Sequence, residues 1–245
     1  MSLVISFDQN TYVGEMAAQY PALIPLFEKR LIGFGCGAEL SLAQECLRLH
    51  LTSETLLEEC RDLLLAFPSG EDPIWKRWTD EKAAALITHI LNRYHEGHRN
   101  AFPLIEDLQE QVLQEDGDRY PDLMTRLCMV TQWLFDDLRP HMLKEEQVLF
   151  PLVHQLLGQP LPQGRMAVSC PIQHPITAMK SEHQVACNVL REIDAITHHF
   201  IAPADSSQLM ATLFSELKNL TEEIHRHIHM ENNVLFPMVL RMVAV

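Results

Sequence analysis

Glycine is scarce, with only 9 in 245 residues, and alternating runs of Val, Ile and Thr are few. That scarcity argues for helices over sheets. No run of 18 or more apolar residues occurs, so no segment is expected to span a membrane. The first thirty residues lack a basic start followed by an apolar stretch, so no secretory signal is expected. None of the six cysteines, at 36, 46, 60, 128, 170 and 187, forms a CxxC pair. Without the look of a disulfide framework they point to a reducing, cytoplasmic compartment. No cluster of Lys and Arg offsets the net charge of −14, which speaks against nucleic acid or anionic lipid as a partner. A nucleotide-binding loop and a nucleophile triad are likewise missing.

What is present reads as an all-α chain. Residues 1–66 have the pattern of a small helical N-terminal domain, with Thr11 as one expected helix cap and Thr52 or Ser53 as another. Inside it lies Gly33-Phe34-Gly35-Cys36-Gly37, which holds three of the nine glycines. Residues 67–78, with two prolines and a glycine, read as a linker. From 79 to 245 the pattern is an up-down four-helix bundle, with helices near 79–114, 121–156, 174–200 and 206–242.

The last of these helices carries an unbroken seam. Leu213, Leu217, Leu220, Ile224, His227, Glu231, Val234 and Met238 alternate steps of four and three, the spacing of residues that face a bundle core. A bare carboxylate in such a seam is costly to desolvate, and a metal ion removes that cost. His183 occupies the corresponding seam of the third helix, with Ile176, Met179, Ala186 and Leu190. In the second helix the seam passes through Leu134, Leu138, His141, Glu145 and Val148 and slips by one residue near Pro140, so a bend is expected just before His141.

An internal duplication points at the same residues. The eleven residues from His141 to Pro151 match those from His227 to Pro237 at six positions, with an offset of 86. The shared residues include both members of an HxxxE pair. His183 precedes His227 by 44 residues, and His95 precedes His141 by 46; His89 and His98 are rivals to His95 on the first helix. Residues i and i+4 share a helix face, so each HxxxE pair can present an imidazole and a carboxylate to one centre. A carboxylate can bridge two metals and an imidazole cannot. Four histidines and two glutamates can thus serve two ions, and this N,O set suits Fe or Mn, with Zn also compatible. Positions left open favour iron that meets O2, NO or peroxide, with an oxo or hydroxo bridge between the ions.

The blander readings stand beside these. A single histidine is more often solvent-facing or hydrogen-bonded than a ligand, and His225 and His229, out of phase with His227, are expected to face solvent. His98 can stand behind the ligands or replace one. Asp137, one turn before His141, and Glu182, beside His183, are either solvated acids or acceptors behind a ligand. Met16, Met124, Met129, Met179, Met210 and Met238 read as core filler. Cys36 is either a small buried residue or a reactive thiol.

With these residues in place, the chain resembles the repair-of-iron-centres family of di-iron proteins, the RIC, ScdA or YtfE type. The resemblance rests on Arg93-Tyr94-His95, on the run from His141 to Pro151, on Ser181-Glu182-His183, and on the run from Glu231 to Pro237. It implies a hemerythrin-like bundle with a non-haem di-iron centre on His95, His141, Glu145, His183, His227 and Glu231. It also implies a role in restoring iron–sulfur clusters damaged by nitrosative or oxidative stress, by donation of iron, with damaged or apo iron–sulfur proteins as partners and NO or O2 as small ligands. An NO-reducing di-iron enzyme and an O2- or NO-binding carrier or sensor are the alternatives. A monomer and a homodimer are both compatible with the sequence. The family's N-terminal domain carries two adjacent cysteines before a glycine; here Gly35-Cys36-Gly37 keeps one, which puts any dithiol step in doubt.

Overall fold

A computed structural model describes residues 5–36, 39–66, 78, 82–159 and 170–243. Apart from Trp78, the expected linker at 67–78 lies outside the described residues, as does Gly37. Helices account for the regular structure: among the described residues the only β pairing is an isolated bridge between Tyr12 and Ser41. Contacts divide the chain into two compact units, residues 1–86 with 225–245, and residues 87–224. The division falls inside the last helical run, which continues from Gln208 to Val243.

In the first unit, α1 (Val13–Gln19), α2 (Ile24–Lys29), α3 (Leu42–Arg48) and α4 (Ser53–Ala66) enclose a core that includes Val13, Met16, Phe27, Phe34, Leu42, Cys46 and Cys60. Helix α3 is started by a capping box, in which the Ser41 hydroxyl accepts from the Gln44 N–H and the Gln44 side chain accepts from the Ser41 N–H. The expected cap at Thr11 is displaced. Helix α1 opens after Tyr12, while the Thr11 hydroxyl bonds within its own turn to Asp8.

The glycine-rich string of this unit is a close approach between backbones. A Cβ on Gly35 would lie 2.3 Å from the His225 carbonyl oxygen, so only glycine fits there. The Asn233 amide donates to the Phe34 carbonyl at 2.9 Å, and Arg226 holds Glu28 at 2.7 and 2.9 Å. Phe34 meets the His229 ring edge-on at 5.6 Å. His229, expected at the surface, is therefore buried, at 1% exposure. Seam periodicity reads one helix face and is blind to a loop that covers another.

The second unit holds the first bundle helix from Ile87 on, the second and third, and the fourth as far as Ile224. The first comprises α5 (Ala83–His89), a wide π-helical stretch (Ile90–His95) and α6 (Glu96–Asp116). The second comprises α7 (Pro121–Lys144), a π stretch (Glu145–Leu149) and α8 (Phe150–Leu156). The third is α9 (Gln173–Ile196), and the fourth begins as α10 (Gln208–His229), continuing as a π stretch (Met230–Leu235) and α11 (Phe236–Val243).

Cross-helix pairs fix the directions. Glu106 with Arg139 and Arg99 with Glu146 make α6 and the second helix antiparallel. Arg126 with Glu192 and Lys144 with Glu182 do the same for α7 and α9, and Arg93 with Glu223 together with Asp116 with Ser207 for the first helix and the fourth. The bundle runs up-down-up-down. Its interior is apolar, with Phe102 stacked on Phe135 at 4.3 Å and Leu127, Leu134, Leu190, Leu213 and Leu217 buried. Five of the six methionines read as filler are buried; Met129 instead stands 51% exposed on the outer face of α7.

Candidate metal centre

The three π stretches mark where the site is built. In each, the residue that follows the stretch donates its N–H to the carbonyl five residues back: Glu96 to Leu91, Phe150 to Glu145, and Phe236 to Glu231. The sequence cause is visible in two of them. Pro151 and Pro237 have no N–H to give to the carbonyls of Gln147 and Asn233, so the ordinary i to i−4 bond cannot form there. Each widened turn accommodates one extra residue, a feature that recurs at functional sites. The change of helix type lies downstream of the slip near Pro140: α7 keeps helical bonding through Pro140, and the π stretch begins at Glu145. Beyond it Leu149, Leu152 and Val153 are buried, while Val148 of the expected seam is only half-buried.

The six residues that the seams and the duplication single out come together in two groups. His95, Glu145, His227 and Glu231 form one, and His141, Glu145, His183 and Glu231 the other, with the potential ligand atoms of each group all within 4.8 Å of one another. All six are buried, the two glutamates completely. Glu145 faces both ways, its Oε2 lying 3.2 Å from His95 Nε2 and its Oε1 3.2 Å from His141 Nε2. His141 and His183 meet through Nε2 atoms 3.1 Å apart, and His227 Nε2 lies 3.4 Å from Glu231 Oε1.

The donor set fits a metal. His95 and His141 each turn Nδ1 toward a carboxylate outside the groups, so Nδ1 carries the donated proton and Nε2 turns a lone pair inward. Lone pairs on nitrogen then converge with carboxylate oxygens in a site closed to water, and a cation between them converts repulsion into ligation. Glu145 and Glu231 are common to both groups.

Behind the groups, Glu146 takes the His95 Nδ1 contact at 2.8 Å and Glu182 the His141 contact at 2.9 Å. The bond from His95, reinforced by Arg99, lowers the Glu146 pKa; those from His141 and Lys144 hold the Glu182 carboxyl at about 2. Both carboxylates are therefore charged acceptors. Glu146 had no sequence signal, because its counterpart in the second half of the duplication is Asn232. A surface pocket of about 440 Å³, lined by Asn92, Glu96, Arg99, Asn100, Glu146 and His154 among others, opens beside it.

The remaining sequence candidates fall elsewhere. Asp137 is solvent-exposed on α7, and the acceptor behind His141 is Glu182. His98 is buried but stacks parallel to Phe102, outside both groups, and His89 sits edge-on to Tyr94. Cys36 is disulfide-bonded, as is Cys187, so the reactive thiol that was one of the two readings of Cys36 is absent, and two of the six cysteines depart from the reduced state read from the sequence. The signal was weak there because disulfide pairing follows spatial proximity, which spacing alone does not reveal.

Residues 86–239 match the hemerythrin HHE cation-binding domain, which spans the helices that carry all six residues. The chain belongs to this family. Its match to curated relatives runs further, over nearly the whole length. The iron–sulfur cluster repair protein YtfE of Escherichia coli O17:K52:H18 (strain UMN026 / ExPEC) is 31% identical over 228 residues, covering 93% of this chain and 96% of the relative. The protein of that name from Shigella boydii serotype 4 (strain Sb227) gives the same figures. This hemerythrin-family chain is thus of the repair-of-iron-centres, YtfE type, and its buried His/Glu cluster is a metal-binding site. No described helix is long and apolar enough to cross a membrane.

Proposed function

We propose that this chain is a di-iron protein that supports repair of iron–sulfur clusters, with His95 and His227 on one ion, His141 and His183 on the other, and Glu145 and Glu231 bridging the two. The observation that carries this reading is the doubled ligand group that shares its two glutamates. Iron held there supplies Lewis-acid and one-electron redox chemistry. The chain's own residues keep the ligand groups buried from water, with Phe150 5.8 Å from the His95 ring, aim the imidazoles, and keep the carboxylates behind them charged. The substrates of the repair are damaged or apo iron–sulfur proteins.

Iron transfer tests the reading. The iron-loaded chain is mixed anaerobically with an apo iron–sulfur protein, sulfide and a thiol reductant, and cluster formation is followed by absorbance beside the iron left on the chain. Repair by donation predicts that clusters form as the chain loses iron. Clusters that form no faster than with the chain omitted would count against donation, as would turnover of NO to N2O with all iron retained.

A further inference from the structure

Glu146 and Glu182 stand behind His95 and His141 in one repeated arrangement. In each, a carboxylate oxygen meets imidazole Nδ1, at 2.8 Å for Glu146 and 2.9 Å for Glu182. In each, a cation from the histidine's own helical run holds that carboxylate: Arg99 donates to Glu146 at 2.5 Å, and Lys144 to Glu182 at 2.6 Å. Arg99 follows His95 by four residues and Lys144 follows His141 by three, so imidazole and cation share a helix face. In each, finally, the carboxylate comes from the next helix of the bundle and is the chain neighbour of another candidate ligand. Glu146 follows Glu145, and Glu182 precedes His183. The ring on one helix is thereby set by the backbone that presents a ligand on the next. His95 belongs to one ligand group and His141 to the other.

The geometry points to Glu146 with Arg99, and Glu182 with Lys144, as two positioning clamps, each fixing the tautomer and direction of one histidine so that its Nε2 faces one ion of the pair. Neither carboxylate is itself a ligand. Each clamp governs the ion on its own side. This inference rests on the two-ion reading of the site, and it adds a division of labour that the reading does not require. If these were only ties between helices, their loss would lower the melting temperature of the metal-free chain and leave the two ions equivalent.

The test is the time course of iron removal by a ferrous chelator from anaerobically loaded protein, read as iron released per chain in each phase. Partners of this kind affect metal affinity by about 10- to 100-fold. Glu146→Ala is expected to release one iron per chain faster by about that factor and to leave the other at the wild-type rate. Glu182→Ala is expected to do the same for one iron, and the double variant to release both quickly. Glu146→Gln and Glu182→Gln keep an oxygen that accepts from Nδ1–H, and they are expected to recover most of the retention. Arg99→Gln and Lys144→Gln alter half-exposed side chains that leave the packing intact, and each is expected to loosen one iron more mildly. Melting of the metal-free proteins is measured alongside, with little change expected for the Gln variants. Wild-type release rates in both Ala variants, equal acceleration of both irons by one clamp's loss, or Gln variants as leaky as Ala would overturn the proposal. A wild-type chain that never holds two irons would instead defeat the two-ion reading itself.

Discussion

Truncating Phe34 should undo the seat of the glycine-rich loop on the last helix. The ring is 2% exposed, it meets His229 edge-on at 5.6 Å, and its carbonyl accepts the Asn233 amide at 2.9 Å. Removing a buried phenylalanine costs about 3–5 kcal/mol, of which an edge-to-face pair accounts for about 1 kcal/mol. The carbonyl bond survives only if the loop stays in place. Phe34→Ala is therefore expected to destabilise the first unit by about 4 kcal/mol, measured by urea unfolding followed by far-UV circular dichroism. Gly35→Ala attacks the same seat from the backbone side, since its Cβ would lie 2.3 Å from a carbonyl oxygen that cannot swing away. A loss of about 2–3 kcal/mol is expected. Because both changes lift one loop, the double variant should lose less than the sum of the two. A cost below about 1 kcal/mol for Phe34→Ala, or full additivity, would refute the close seat.

Other tests address separate features. Pro151→Ala and Pro237→Ala restore N–H groups that can bond to Gln147 and Asn233, so each should draw its π turn toward an α-helix and weaken metal retention; unchanged iron content would show that the widened turns do not depend on the prolines. Asp116 accepts from the Ser207 N–H at 2.8 Å, and its bonds to Ser207 lower its pKa. A carboxyl lowered in the folded state stabilises above its unfolded pKa and loses that effect as pH falls through the folded value, so Asp116→Ala should flatten the acid limb of stability below about pH 4. An equally steep limb in the variant would contradict this. Burial drives the Cys60 pKa up to about 12, and Cys46 is buried beside acidic residues. A thiol reagent should reach exposed Cys170 in the native chain, and Cys46 and Cys60 only on unfolding; reduction before unfolding should add two thiols, from Cys36 and Cys187, to the count in the unfolded chain.

The bundle and its ligand candidates were legible because both obey helical periodicity. Seams through His183, His227 and Glu231 place polar residues where only apolar ones belong, and the repeated HxxxE-xx-VLFP string picks out His141 and Glu145 as their counterparts. The shared Phe-Pro at the end of that string also encodes the π turns, but as a missing donor, which an α-helical template passes over: the seam through His227, Glu231, Val234 and Met238 reads as unbroken across one of them. Features that depend on a neighbour distant in sequence were not legible. His229 is buried by Phe34, nearly two hundred residues earlier, and His95 finds Glu146 across the bundle at a position where the duplication offers Asn232. Asp137, read from the sequence as either a solvated acid or an acceptor, is the former: it lies one turn from His141 yet is exposed, because the buried face there runs through Leu134, Leu138 and His141.

The central claim is tested most directly by elemental analysis of the chain purified anaerobically without added metal, beside a Glu145→Ala/Glu231→Ala double variant. The two shared carboxylates predict about two irons per chain in the native protein and loss of both in the variant. Native protein with little bound metal, or a double variant that keeps its iron, would contradict the account.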